Sequence, residues 1–279
     1  MAARPLAQED ERKAMTNIVV LIKQVPDYAD RRLSDGDFTL DRAGSDAVLD
    51  EINEKAVEEA LQIKEREEAA GGSSTVTVLT AGPEKAGEAI RKALSMGADK
   101  GVHLLDERMH GSDMVQTGWA LARALGQVEG VELVITGNAA SDGTGGAIPA
   151  IIAEYLGLPQ LTHMRALSIE GGKITGERET DDGVFGVEAT LPAVVSVHEK
   201  INEPRFPSFK GIMAAKKKEV ATLTLDDIGV GADEVGLGTA VSKVQGATPK
   251  PPKAAGEKLT DEGDGGSKIA EYLVAQKIV

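Results

Sequence analysis

LVITGNAASDGTGGAIPAIIAEYL (133–156) runs from a β-branched stretch into a loop holding Gly137, Gly143, Gly145 and Gly146, and the loop opens a helix. LVIT (133–136) reads as a strand. Pro149 suits the first turn of the following helix, where its missing N–H has no intrahelical partner to lose, and Ile151, Ile152 and Tyr155 supply apolar positions. The same alternation extends upstream. IVVLI (18–22) is a continuous apolar run, as expected of a strand covered on both faces. A helix is predicted from about Ser45 to Ala70, with Ala47, Val48, Ile52, Ala56, Val57, Ala60, Leu61 and Ile63 at helical spacing and Gly71-Gly72 to end it. TVTVL (75–79) and GVHLL (101–105) read as strands, with helices over about 83–96 and 113–125. Strand–helix alternation of this kind predicts an α/β fold: a doubly wound, mostly parallel sheet with helices on both faces.

The rhythm changes after Thr162. Segments 164–169, 173–179, 184–190 and 193–197 are strand-like and separated by turn residues, which predicts antiparallel strands at one edge of the sheet. Upstream, LSDGDFTLD (33–41) has the Asp-Gly signal of a small hairpin. A short helix over 207–217 and the strand-like EVATLTL (219–225) close the α/β domain, taken as residues 15–225. From Asp226 the composition loosens into Gly, Ala, Lys and Pro, including TPKPPK (248–253), which predicts an extended arm over 226–279. The arm ends in the amphipathic KIAEYLVAQKIV (268–279), too short to be stable without docking on something. Residues 1–14 are polar and aperiodic and read as a disordered extension.

Composition narrows the chemistry. The 279 residues are 41% hydrophobic but only 3% aromatic, so the core must be aliphatic. With no cysteine, a disulfide scaffold, a thiolate metal site and a thiol nucleophile are excluded. A net charge of -14 argues against nucleic acid as a partner. No apolar run approaches the ~18 residues of a membrane span, and the N-terminus has no secretory pattern, so a soluble, cytoplasmic protein is expected. His103, His110, His163 and His198 have no metal-ligand spacing, and no nucleophile elbow, phosphate-loop lysine motif or G-x-G-x-x-G occurs. Neither a catalytic residue nor a metal site is predicted, and any redox chemistry must belong to a bound cofactor.

The glycine loop is the strongest ligand candidate. Glycines allow close backbone approach, and helix-opening N–H groups attract phosphate oxygens. Asp142 is expected to accept from a ribose hydroxyl or to cap the helix. KQVPDY (23–28) and TAGP (80–83) follow strands on the same sheet edge, where ligands bind open α/β sheets. An ordinary loop is the competing reading. In HEKINEPRFPSFKGIMAAKKKEV (198–220), Ile201 and Phe206 lie among polar residues and prolines, which fits either insertion into a partner's pocket or a buried anchor.

Taken together, NIVVLIKQVPD (17–27), AVEEAL (56–61), AGP (81–83), AIRKALSMGAD (89–99), AEYLGLPQLT (153–162), LPAVVSV (191–197) and KINEPRFPSFKGIMAAKKK (200–218) resemble the beta, or small, subunit of electron-transfer flavoproteins, closest to actinobacterial members. The resemblance implies an adenine nucleotide alpha hydrolase-like fold and a cytoplasmic, bacterial heterodimer with a larger alpha subunit. It also implies an FAD held mostly by that subunit, a structural AMP in this chain, donors among the acyl-CoA and related dehydrogenases, and a quinone oxidoreductase as acceptor; bifurcating relatives hold a second FAD in the AMP position. By the same resemblance the beta-site nucleotide contacts Leu21, Asp50, Glu51, Ile52, Asn53 and Ala81. It also contacts the loop of Gly137, Asn138, Ala139, Ala140, Ser141, Asp142, Gly143, Thr144, Gly145, Gly146, Ala147 and Ile148. Tyr28 matches an aromatic residue against the partner-held flavin. Ile201, Asn202, Glu203, Pro204 and Arg205 match a partner-recognition segment, with Ile201 as its anchor. Asp50-Glu51 stands where many members carry Asn-Pro, and the loop lacks their usual Gln. A stand-alone adenine-nucleotide enzyme of similar fold is the alternative. It lacks a basic residue near Gly143–Gly146 in sequence, which triphosphate chemistry needs.

Overall fold

Alternation along one strand organises the molecule. In Met15–Leu21 (β1), Ile18 and Val20 join a core on one face of the sheet and Val19 and Leu21 a core on the other, each at most 6% exposed. The structure is a computed structural model that describes residues 15–27, 32–248, 250–251, 256, 258 and 260–279. Residues 1–14 and Tyr28, on which two of the sequence expectations fall, lie outside the described residues.

The main sheet adds Ser73–Ala81 (β4), Lys100–Leu104 (β5), Val131–Gly137 (β6), Gln160–Glu170 (β7), Lys173–Thr180 (β8), Gly183–Thr190 (β9), Ala193–Val197 (β10) and Val220–Leu223 (β11). Its order is β11-β5-β4-β1-β6-β10-β7-β8-β9, with every pairing from β11 to β7 parallel and β7-β8-β9 an antiparallel meander. Two helices, Glu51–Ala69 (α1) and Gly87–Met96 (α2), pack Ala56, Val57, Ala60, Leu61, Ile90 and Leu94 into the first core. On the opposite face Met114–Leu125 (α3) and Ile148–Leu156 (α4) pack Leu121, Leu125 and Ile152 into the second. Burying each such aliphatic side chain contributes ~1.5–3 kcal/mol, so the aliphatic core needs few aromatics.

Three expectations are corrected. Residues 193–197 are not part of the antiparallel edge: β10 runs parallel between β6 and β7, and its five residues are all buried. Alternation cannot be read in a strand covered on both faces, which is why AVVSV gave no directional signal. The long helix begins at Glu51 rather than near Ser45, because Ala47–Leu49 (β3) pairs antiparallel with Gln24–Pro26 (β2). Val48, counted on the helix's apolar face, is 47% exposed. The compact unit also reaches Gln245 rather than ending near residue 225. Ile228, Val230 and Val235 enter the second core, Arg123 Nε donates to the Ile228 carbonyl at 3.0 Å, and Leu237 N–H donates to the His110 carbonyl at 3.0 Å. Three apolar residues in a glycine-rich stretch suffice to hold it down. The second unit, from Gly246, contains the helix Gly265–Ala275 (α6), on which Ile269, Tyr272 and Val274 are exposed. A short helix Phe209–Ala215 (α5) precedes β11, and Leu33 bridges Leu40 where the hairpin was expected.

At α3, Asp113 caps the helix: its carboxylate accepts from Val115 N–H at 3.0 Å and Gln116 N–H at 3.1 Å, and Gln116 closes the capping box. The same carboxylate accepts from Ser242 N–H at 2.8 Å, tying down the end of the compact unit. Replacing Asp113 by Ala is expected to cost about 1–2 kcal/mol, whereas Asp113→Ser should retain most of the cap. Thermal melts of the two variants check this; equal melting temperatures would mean the cap contributes nothing.

Candidate functional site

Leu21, Ala81 and Gly137 are the last residues of β1, β4 and β6, three neighbours in the sheet. Because the strands are parallel, the loops that follow them emerge at one edge. The chain passes from β1 through α1 to β4 on one side, whereas β6 lies on the other, so the order reverses between β1 and β6. A crevice at such a reversal is where open α/β sheets take ligands. Close approach is built in at Gly137: a Cβ there would meet Ile52 Cγ2 at 2.6 Å and Asn53 Nδ2 at 3.0 Å.

Hydrogen bonds stitch the segments together. Lys23 N–H donates to Asn53 Oδ1 at 2.8 Å, and Asp50 N–H donates to the Lys23 carbonyl at 3.1 Å. Asp50 Oδ2 accepts from Ser141 N–H at 2.8 Å, which ties the start of α1 to the glycine loop. Asp142 holds two cations: Oδ1 accepts from Lys23 Nζ at 2.7 Å and Oδ2 from Arg42 Nη2 at 3.1 Å. Arg42 Nη1 also donates to the Gln24 carbonyl at 3.1 Å. The loop turns through Thr144 (φ 49°) and Gly146 (φ 65°) before α4 begins.

Protonation follows from these contacts. Burial alone would raise the Asp142 carboxyl, but the charges and hydrogen bonds of Lys23 and Arg42 hold it below the ordinary carboxylate value. Burial lowers the Lys23 ammonium, with Asp142 opposing. Asp50 is pushed up by burial, against the Ser141 N–H, and the Asp142 charge adds to the rise. Two cations therefore face two carboxylates of opposite tendency.

This corrects two expectations. Basic residues do reach the glycine loop: Lys23 and Arg42 meet it at Asp142, although they lie 119 and 100 residues away in sequence. Asp142 does not cap α4, whose N-cap is Ala147 without a side-chain bond, because the loop inserts four residues between them. Its side chain is 2% exposed and already paired. Arg42 was missed altogether, since nothing local marks it; Lys23 was noted only as a loop residue. Among the remaining named positions, Ile52 and Asn53 are buried at the start of α1, Glu51 is exposed, and Asn138, Ala139, Ala140, Gly143, Thr144, Gly145, Ala147 and Ile148 are half-buried or exposed along the loop.

The segment after β10 leaves the same edge. Ile201 and Phe206 part company there: Ile201 is half-buried against the first core, whereas Phe206 is 93% exposed. Asn202, Pro204 and Arg205 are half-buried and Glu203 is exposed. Among the described residues no cluster of three or more His, Asp or Glu is arranged to hold a metal, and no helix is long and apolar enough to cross a membrane.

A doubly wound α/β chain whose glycine loop is cross-tied at the strand-order reversal is the class that this geometry defines. Residues 37–228 match the electron transfer flavoprotein domain family. The chain is 76% identical over 266 residues to the electron transfer flavoprotein subunit beta of Mycobacterium tuberculosis (strain ATCC 25618 / H37Rv), covering 95% of this chain and 100% of that protein. The subunit beta of Mycobacterium leprae (strain TN) is 75% identical over the same length. That of Megasphaera elsdenii is 33% identical over 272 residues, 94% of this chain and 99% of the relative. The chain belongs to the electron transfer flavoprotein family, among its beta subunits. Its role is electron transfer as part of a flavoprotein.

Asp142→Asn keeps the shape and removes the charge that Lys23 and Arg42 need. The expected loss of stability at pH 7 is about 1–3 kcal/mol. Because the folded carboxyl lies below its ordinary value of 3.8, its stabilisation is complete above that value and is lost as pH falls through the lowered one. Denaturant titrations should therefore give a gap between wild type and variant that is constant from pH 7 to 5 and closes only below the ordinary carboxylate range. A gap that closes near neutrality would locate the titration elsewhere.

Proposed function

We propose that this chain is the nucleotide-bearing, non-catalytic half of an electron-transferring heterodimer. In this reading FAD is held mostly by the alpha subunit, electrons arrive from acyl-CoA and related dehydrogenases, and they leave toward a quinone oxidoreductase in a bacterial cytoplasm. The observation that carries the reading is the cross-tied edge between β1 and β6 in a chain 76% identical over 266 residues to an electron transfer flavoprotein subunit beta.

In this reading the edge takes one adenine nucleotide of low charge. Leu21, Asp50–Asn53, Ala81 and Gly137–Ile148 would line it, with the missing side chain of Gly137 letting Ile52 and Asn53 pack against the end of β6. Lys23 and Arg42 would face the phosphate, in competition with Asp142. Two cations against the carboxylates of Asp50 and Asp142 leave no net positive charge, which is poor for the triphosphate of an adenylate enzyme and tolerable for AMP. AMP in this position is structural: it would complete the polar contacts of loops that otherwise close only on each other.

FAD, when bound to the alpha subunit, supplies the redox chemistry. This chain's residues would then exclude water and dock partners through Ile201–Arg205, with Tyr28 the residue that the family resemblance assigns to the flavin. Electron tunnelling needs proximity, not an acid, base or nucleophile. The exposed Ile269, Tyr272 and Val274 of α6 fit an arm that docks on the alpha subunit, since an 11-residue helix is marginal alone.

The test is to purify the chain together with its alpha subunit, denature the complex and identify the released nucleotides. One FAD and one AMP per heterodimer are expected, and Arg42→Ala should lower AMP occupancy about tenfold or more while leaving FAD unchanged. A colourless, monomeric protein that turns over ATP would overturn the reading. Ile201→Ala should slow transfer from a dehydrogenase without changing flavin content.

A further inference from the structure

Glu58 and Glu65 lie two turns apart on α1, outside the candidate nucleotide edge, and both hold Arg205, Glu58 accepting also from Gln62 Nε2 at 2.9 Å. Arg205 Nε donates to Glu58 Oε2 at 2.7 Å and Nη2 to Glu58 Oε1 at 3.0 Å, while Nη1 and Nη2 donate to the two Glu65 oxygens at 2.5 and 3.1 Å. Arg205 N–H adds a bond to Glu58 Oε2 at 3.1 Å. The contacts continue one turn toward the start of the helix. Lys55 Nζ donates to the Asn202 carbonyl at 2.6 Å, and Asn202 Nδ2 donates to the Lys55 carbonyl at 3.1 Å and to Glu59 Oε2 at 3.2 Å. Glu58 is 4% exposed. A carboxylate buried to that extent on a helix in place of an apolar residue must be matched by a cation, and Arg205 supplies the match.

We infer that Glu58, seconded by Glu65, is a positioning residue for partner recognition: through Arg205 it fixes the 201–205 segment in its docking shape before any partner arrives. The inference rests on the proposed role of that segment. A flexible segment would have to be ordered on binding, which weakens affinity; a segment held by two fork-like carboxylate pairs is ordered in advance. Immediately after the clamp the backbone delivers Phe206, 93% exposed, to solvent. The clamp touches no residue of the nucleotide edge, so its loss should change partner affinity and spare the cofactors.

The experiment uses the intact heterodimer as electron acceptor for an acyl-CoA dehydrogenase. Glu58→Gln and Glu65→Gln should each raise the KM for the heterodimer about two- to tenfold, with kcat and flavin content held. Lys-specific proteolysis after the flanking Lys200 and Lys210 should accelerate. Arg205→Lys, which keeps the charge but not the fork, should show the same split. Glu65 is half-exposed, so its variant should fold even if Glu58→Gln does not. If Phe206→Ala or Ile201→Ala raises KM while Glu65→Gln and Arg205→Lys do not, the clamp inference fails and the docking role of the segment stands. If none of these variants moves KM, the docking role itself is wrong. A fall in kcat and flavin content at unchanged KM would make the clamp merely structural and would also overturn the inference.

Discussion

A parallel sheet covered by helices on both faces leaves its polar groups one place to gather, and the proposed site follows from that restriction. With both faces closed by aliphatic cores, the polar work is confined to the rim where β4, β1, β6 and β10 end side by side. The rim in turn needs its own cohesion, because loops have no ladder to hold them. Here the cohesion is electrostatic: Asp142 draws Lys23 and Arg42 onto the glycine loop, and Asp50 holds the Ser141 N–H.

The balance of that rim matters more than the presence of any one group. Had Lys23 and Arg42 faced the crevice without Asp142, the edge would be a strong anion site. Had Asp50 and Asp142 stood alone, it would repel phosphate. Near-neutrality suits the proposed reading of a ligand bound for its shape and kept for structure.

The fold was legible because its determinants are local. IVVLI, TVTVL and LVIT announce covered strands, and the helices between them carry their own periodicity and, at Asp113, a capping box. What was not legible depends on distance. AVVSV is equally apolar as an edge or a central strand, so only its neighbours decide that β10 is parallel. Ile228, Val230 and Val235 sit in a composition that reads as an arm, and three burials outweigh it. At the rim, the glycine loop could be found from spacing and Asp50–Asn53 only through the family resemblance, whereas Arg42 could not be found: its partners are 18 and 100 residues away, and no pattern within the 33–45 stretch distinguishes it from a solvated arginine.

Helix α1 joins the two halves of the molecule's work. Its first residues, with Asp50 before them, stand at the candidate site's edge; Lys55, Glu58, Glu59 and Glu65 hold the segment after β10; the stripe between them is core. At ~1.5 Å per residue, about 18 Å separate Asn53 from Glu65, spanned by one unbroken helix packed into a dense interior. A close-packed helix of this kind has one position rather than two, and coupling between sites requires an element with two. On the proposed reading, helix α1 is therefore a ruler and not a lever: it sets where the candidate nucleotide edge and the proposed recognition segment stand with respect to each other.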